Sequence, residues 1–291
     1  MKIRDILQQN QVTLSFEVFP PKKEEGLLAT LEAAHKIAAL HPNFVSVTYG
    51  AAGTAPRFTV EVASDLQNST GTAVLPHFTC VASTKETVDE MLGALQKHHI
   101  ENIMALRGDI PQDGSQQKEF LHASDLIRYI RSTEYGQAIS IGGACYPEKH
   151  PESSSKEEDL RHLKDKIDAG CDFLTTQMFF SNETFYNFLY RVRDKGIDVP
   201  ILAGIMPITS RKQLGRSVQL SGTNVPDSLK AIVDRFGDDP AALKQAGIIY
   251  ASNQIIDLIA NGVTHIHVYS MNKPDVAEGI LRNISEMLRQ R

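Results

Sequence analysis

The sequence predicts a (β/α)8 barrel, and three observations carry that prediction. Eight short strand-like segments alternate with helix-periodic stretches, an order that implies parallel strands joined by right-handed crossovers. The intervals are mostly of βα size, with one longer helical gap before the eighth strand. The predicted strands also end one after another on polar side chains, as a barrel rim does when it holds a ligand. An open doubly wound sheet is the runner-up. It calls for a phosphate-binding glycine turn, and neither Gly-x-Gly-x-x-Gly nor a Walker pattern occurs.

The first strand is read from Leu14, Phe16 and Val18 alternating with Ser15, Glu17 and Phe19, and Pro20-Pro21 ends it because neither proline has an N–H to give. Residues 25–40 carry apolar positions at helical spacing, and 44–48 form the second strand. A helix over 58–67 with a turn at 68–71 leads to strand three, 73–79, whose Pro76 calls for a local break in pairing. Ser83-Thr84 caps a helix to about His98. Strand four is 102–106, and 110–118 reads as a functional loop. A helix over 124–132 precedes strand five, 138–144. The helix over 156–169 ends at Gly170, followed by strand six, 172–177. The helix over 182–195 precedes strand seven, 200–205. Helical stretches 211–220, 226–236 and 240–260 fill the long gap; strand eight is 264–269, and 275–289 is the closing helix. No linker or composition break interrupts this order, so a single domain over 1–291 is expected.

Hydrophobic content of 42% and charged content of 22% describe an ordinary folded protein. Thirty Lys+Arg against 35 Asp+Glu give a net charge of -5, and no long block of like charge offers a nucleic-acid or anionic-membrane surface. No run approaches a membrane span, and the N-terminus lacks the apolar stretch of a signal peptide. Cys80, Cys145 and Cys171 are odd in number and widely spaced, as buried thiols of a reducing cytoplasm are.

The strand ends bring Glu17, Thr48, His77, Arg107, Asp109, Tyr146, Gln177 and Tyr269 to one rim. Ser15 and Glu17, Ser46 and Thr48, Thr175 and Gln177, and His265, His267 and Tyr269 share parity within their strands and predict a polar inner lining. Val45, Val47, Leu174, Ile266 and Val268 take the other face. A Glu and an Asp in such a ring supply a general acid and an electrostatic partner, and a two-carboxylate glycosidase uses the same pair. His265-x-His267 lacks a third ligand of fixed spacing, so hydrogen-bonded core histidines are expected rather than a metal site.

Six motifs then coincide in order: Phe16-Glu17-Val18-Phe19-Pro20-Pro21-Lys22, Val45-Ser46-Val47-Thr48-Tyr49-Gly50, Pro76-His77-Phe78-Thr79-Cys80, Ala105-Leu106-Arg107-Gly108-Asp109, Tyr146-Pro147-Glu148-Lys149-His150-Pro151 and His267-Val268-Tyr269-Ser270-Met271-Asn272. Together they resemble the methylenetetrahydrofolate reductases over essentially the whole chain, in their bacterial single-domain form. The resemblance implies an FAD-containing barrel that reduces 5,10-methylenetetrahydrofolate to 5-methyltetrahydrofolate with NADH or NADPH by a ping-pong route, in service of methionine synthesis. It makes Glu17 the acid that opens the folate ring and Asp109 a carboxylate near pterin and flavin. Thr48, Tyr49, Ala51, His77, Arg107, Gly108, Asp109, Ala123, Tyr146, His150, Asp159 and Lys166 match flavin positions. Gln177, Gln213, Tyr269 and Lys273 match folate positions.

The chain departs from that pattern where His122 stands for a Tyr, His162 and Asp165 for an Asn and a basic residue, and Lys273 for an Arg; residues 211–220 hold no aromatic. The resemblance implies a folate small-molecule partner, no resident metal, a cytoplasmic location and an assembly of identical subunits. A different flavin barrel of the proline-dehydrogenase kind and a non-catalytic subunit without cofactor are the competing readings.

Overall fold

The computed structural model describes residues 1–9, 11–50, 56–81, 83–109 and 119–289. Eight strands close into a parallel barrel in sequence order: β1 (Thr13–Val18), β2 (Phe44–Val47), β3 (Ala73–Thr79), β4 (Asn102–Leu106), β5 (Ser140–Cys145), β6 (Phe173–Thr176), β7 (Ile201–Ile205) and β8 (His265–Tyr269). Around them run α2 (Leu27–Ala38), α3 (Pro56–Thr70), α4 (Lys85–Lys97), α5 (Ala123–Ser132), α6 (Glu134–Ala138), α7 (Lys156–Asp168), α8 (Asn182–Asp194), α9 (Arg211–Ser221), α10 (Asp227–Phe236), α11 (Pro240–Ala260) and α12 (Pro274–Ile284), while α1 (Ile3–Leu7) precedes the barrel. No helix of the described residues is long and apolar enough to cross a membrane.

The predicted faces hold. Outward residues Phe16, Val18, Val45, Val47, Leu174, Ile266 and Val268 join the main core against the helices. Inward residues separate into two levels along the axis. The lower level is apolar: Phe44, Ala73, Leu75, Met104, Phe173 and Leu202 pack with Ile3, Ile6 and Leu7 of α1, which plugs the N-terminal end. The upper level carries the polar residues of the same parity.

α1 is tied down by Asn102 at the start of β4. Its Oδ1 accepts from Ile3 N at 2.7 Å, and its Nδ2 donates to the carbonyls of Met1 and Val74, each at 3.1 Å. Val74 lies below Pro76, and the β3–β4 register begins only at His77↔Met104, so a side chain serves a carbonyl that the ladder does not reach.

Several boundaries differ from the sequence reading. Strand five begins at Ser140, not 138, because Thr133 caps the extra helix α6, which runs to Ala138. The third helix spans Pro56–Thr70 and takes in most of the turn expected at 68–71. The second helix begins at Leu27 after a 3-10 turn, and the closing helix stops at Ile284 before another. Helices α9 to α11 in the long gap build a satellite core from Ile208, Leu214, Leu229, Val233 and Leu243 with Phe180. Pro76 keeps its place in β3.

Asn102→Ala is expected to strand the Ile3 amide and the Val74 carbonyl and to cost about 2–4 kcal/mol, read as a lower urea midpoint. A midpoint equal to the parent's would mean that apolar packing alone holds the plug.

Candidate functional site

One large cavity, about 1390 Å³, opens at the C-terminal mouth of the barrel and runs outward between α5 and α7. All eight strand-end residues named from sequence line it: Glu17, Thr48, His77, Arg107, Asp109, Tyr146, Gln177 and Tyr269. Tyr49, Gly108, Ala123, His150, Asp159 and Lys166 line it as well, as do His122, His162 and Asp165. Ala51 lies outside the described residues, together with the expected loop 110–118.

Glu17 stands on the cavity floor with its side chain 19% exposed. Strand β1 is paired on both sides, Glu17↔Ser46 and Glu17↔Tyr269, so its neighbours are fixed by barrel closure. Ser46 Oγ donates to Glu17 Oε2 at 3.4 Å, and the Nε2 atoms of His77 and His267 each lie 3.7 Å from the same oxygen. Burial drives His77 down to about 4, only partly offset by Glu17, so its ring is neutral near pH 7.

Ser15 orients the second imidazole. Its Oγ lies 2.8 Å from His267 Nδ1 and 3.2 Å from the Ile266 carbonyl, and a hydroxyl has one proton. Only one arrangement makes both contacts hydrogen bonds: Ser15 donates to the carbonyl and accepts from Nδ1–H. His267 Nδ1–H is thereby committed to Ser15, and Nε2 is the ring nitrogen turned toward Glu17. His265, one inward step lower, is bonded to Thr13 Oγ1 at 3.0 Å. The two histidines are hydrogen-bonded core residues, as their spacing predicts.

Tyr269 leans over the bottom of the site. Its hydroxyl donates to the Thr176 carbonyl at 2.5 Å, and burial together with the charge of Glu17 holds the phenol well above its ordinary value. It fits because residue 204 is glycine: a Cβ there would meet the Tyr269 ring and hydroxyl at 2.8 Å and the Thr176 carbonyl at 2.4 Å.

The cationic side of the cavity is built by the exits of β4 and β5. Arg107 makes a two-pronged pair with Glu152, both contacts 2.6 Å, and Nε donates to the Gly108 carbonyl at 3.3 Å. Gly108 adopts φ +84, which a residue with a Cβ would resist. Lys166 reaches from α7 to the Ala144 carbonyl, and burial lowers its pKa. The Tyr146 ring meets His150 edge-on at 4.7 Å. Asp159 accepts from His150 N at 3.2 Å and Ser153 Oγ at 3.3 Å, so it organises the rim loop as well as facing the cavity.

Two expected folate positions converge on one hydroxyl outside the cavity lining. Gln213 and Lys273 are absent from the cavity lining and meet instead at Thr209: Lys273 Nζ donates to Thr209 Oγ1 at 2.7 Å, and Thr209 Oγ1 donates to Gln213 Oε1 at 3.0 Å. Both sit at the β7 and β8 exits, where helix N-termini rather than strand ends hold them. Glu152 was not legible, since nothing in its spacing marks it. Ser15 and Ser46 carried the signal of shared parity with the acid's level. Cys80, Cys145 and Cys171 are buried, with burial pushing Cys80 and Cys171 up to about 12, and act as packing groups.

A closed parallel barrel with a polar, ligand-sized cavity at the C-terminal strand ends defines the class of the (β/α)8 enzymes. The chain belongs to the methylenetetrahydrofolate reductase family, whose model matches residues 2–285. It is 36% identical to methylenetetrahydrofolate reductase (NADH) 1 of Arabidopsis thaliana over 97% of this chain and 50% of the plant protein. It thus spans about half the length of the plant relatives it matches. The 5,10-methylenetetrahydrofolate reductases of Pectobacterium carotovorum and Escherichia coli are 34% and 33% identical, over 95% of this chain and 91% and 92% of their own. Among solved structures, an uncharacterised Clostridium thermocellum protein described as binding two copies of 5-methyl-5,6,7,8-tetrahydrofolic acid shares the fold, with a TM-score of 0.65 at 15% identity over 99% of each chain.

Two outcomes follow from the site's electrostatics. Carboxylate and phosphate fill the same guanidinium fork, so Glu152→Ala should free Arg107 and tighten ADP binding several-fold by calorimetry; weaker binding would mean that Glu152 holds Arg107 in its working pose. His77 titrates near 4 in the fold against 6.5 unfolded, so below about 6.5 the unfolded chain binds more protons, and stability falls as pH drops toward 4. His265, also near 4, adds to the same slope. Urea midpoints across that range should show it, with a shallower dependence in His77→Gln.

Proposed function

We propose that the chain reduces 5,10-methylenetetrahydrofolate to 5-methyltetrahydrofolate with electrons from NADH or NADPH by way of bound FAD, in two alternating half-reactions. The observation that carries this reading is Glu17: a carboxyl on the floor of the cavity, 3.7 Å from two imidazoles and, among the described residues, in ion-pair contact with no Lys or Arg. Family membership supplies the reaction class.

The residues present fit an FAD. The cavity is long, running from Glu17, Leu75 and Met104 in the barrel axis out to Ser124 and His162 on α5 and α7, and between them it carries the cations Arg107 and Lys166, suited to a diphosphate bridge, with the His150 ring beside them as a neutral hydrogen-bonding group. Thr48, Tyr49, His77, Gly108, Asp109, Ala123, Tyr146 and Asp159 complete the lining that would hold it. When bound, the flavin supplies the hydride relay between nicotinamide and folate.

Glu17 gives its proton to a bridging nitrogen of the folate. The bond from that nitrogen to the methylene carbon breaks with its electron pair going to the nitrogen, and the other nitrogen forms the iminium that hydride then reduces. His267, held by Ser15, and His77 flank the carboxyl and fix its place beneath the substrate. Gln177 and Tyr269 face the heterocycle from β6 and β8, while Lys273 and Gln213 stand at the rim for the anionic end. Asp109, exposed at the mouth, adds negative charge to the same cavity. The methylated product serves methionine synthesis. Three buried free thiols support a reducing, cytoplasmic setting, and one barrel unit over 1–291 assembling as a homo-oligomer completes the proposal.

The visible spectrum of the anaerobic protein tests the reading: NADH should bleach a flavin band and methylenetetrahydrofolate should restore it. In Glu17→Gln, bleaching is expected within about tenfold of the parent and folate-driven recovery slower by ~10² or more. Equal losses in both halves would make Glu17 structural.

A further inference from the structure

The exit of β1 poses a hydrogen-bonding problem that the ladder does not solve. The strand ends at Val18, and Pro20-Pro21 bring no N–H, so the polar groups of Phe19 fall beyond the last paired residue. A side chain from the exit of β8 answers both of them. Asn272 Oδ1 accepts from Phe19 N at 2.9 Å, and Asn272 Nδ2 donates to the Phe19 carbonyl at 2.9 Å. Two residues earlier, Ser270 Oγ donates to the Glu17 carbonyl at 2.6 Å. The amide of Asn272 thus extends the β1–β8 seam past the point where backbone pairing stops.

This turn is strained. Met271 at φ 55 and Asn272 at φ 52 are successive non-glycine residues in the left-handed region, which is unfavourable for an ordinary side chain and less so for Asn. Such strain persists where surrounding contacts over-determine the backbone, and it gathers at functional sites. The contacts here are the three bonds to Glu17 and Phe19, together with Lys273 N to the Ser270 carbonyl at 3.1 Å. The next residue, Lys273, sends its Nζ to Thr209 Oγ1 at 2.7 Å, and among the described residues no carboxylate lies within ion-pair distance of it. One four-residue turn therefore carries both the support of Glu17 and a cation open to an anionic group.

We propose that Asn272 is a positioning residue and that the turn 270–273 is a rigid spacer, fixing the distance between Glu17 and Lys273 to fit a substrate with its basic nitrogen at one end and an anion at the other. This rests on the reading of Glu17 as the acid. Asn272 touches no reacting atom; it acts through Phe19 and the β1 backbone. A substrate held at the Lys273 end meets Glu17 at the right distance only if the turn does not give, and a misplacement of about 1 Å at a reacting centre costs on the order of 10²-fold.

Three variants separate positioning from simple stabilisation. Asn272→Gly removes the amide while relieving the left-handed strain, Asn272→Ala removes the amide and keeps the strain, and Asn272→Asp keeps only the acceptor for Phe19 N–H. In the flavin-loaded protein, the Gly and Ala variants are expected to slow the folate half-reaction about tenfold or more and to shift its pH midpoint, with the NADH half-reaction within about twofold. Calorimetric affinity of the oxidised protein for 5-methyltetrahydrofolate should weaken several-fold in both, and the Asp variant should recover part of each loss. Full folate rate and affinity in Asn272→Gly, or equal loss in both half-reactions, would overturn the proposal. A parent protein that reduces its flavin with NADH yet never passes electrons to folate would instead overturn the functional reading on which it rests.

Discussion

A carboxyl group inside a barrel is the constraint that orders this molecule. Glu17 sits where water is scarce, and burying a carboxylate without compensation costs far more than one hydrogen bond returns. Its surroundings are a hydroxyl from β2 and imidazoles from β3 and β8, groups that can face either form of the acid without trapping it in one. Each of those groups depends on closure of the ring. His267 and Ser46 are fixed because β1 pairs with β8 and β2 in a single register, and a one-residue slip would turn every inward group outward.

Below that level the barrel is sealed. Phe44, Met104, Phe173 and the short helix α1 fill the lower interior with apolar side chains, so a ligand entering from the mouth stops at the acid. Gly142 belongs to the same packing, since a Cβ there would lie 2.6 Å from the Phe173 ring. Stability and chemistry thus divide along the axis, packing at the N-terminal end and polar groups at the C-terminal end, as parallel barrels require of strands that all point one way.

The ring of strand-end residues was readable because parity is a property of strand geometry: once Glu17 is inward, so are Ser15 and Thr13, and the same counting places His267 and Tyr269. Helix α1 escaped because five residues give too little periodicity, although Ile3, Ile6 and Leu7 have the spacing of one face. The start of strand five was missed because Ala138 and Ile139 suit a strand by composition, whereas Thr133 caps a helix across the first of them. Glu152 had no sequence signature at all; its role comes from a loop that returns to Arg107 across 45 residues. Gln213 and Lys273 came from resemblance alone, and their meeting at Thr209 depends on loop paths rather than on strand parity.

The long gap before β8 acquires a purpose from the same geometry. Helices α9 to α11 hold a satellite core with Phe180 and Ile208, and Ala251, Ile255 and Leu258 of α11 tie it to the main core, so the insertion is anchored on the barrel. From that base the α9–α10 loop reaches the β5 exit, where Asn224 N donates to Glu148 Oε1 at 2.8 Å. That exit loop is the one carrying Tyr146, His150 and Glu152, with Lys149 held at φ 146, and Asp159 bonds its backbone from α7. The rim loop is therefore gripped from two sides, by the helix that supplies Lys166 and by the insertion that supplies Gln213.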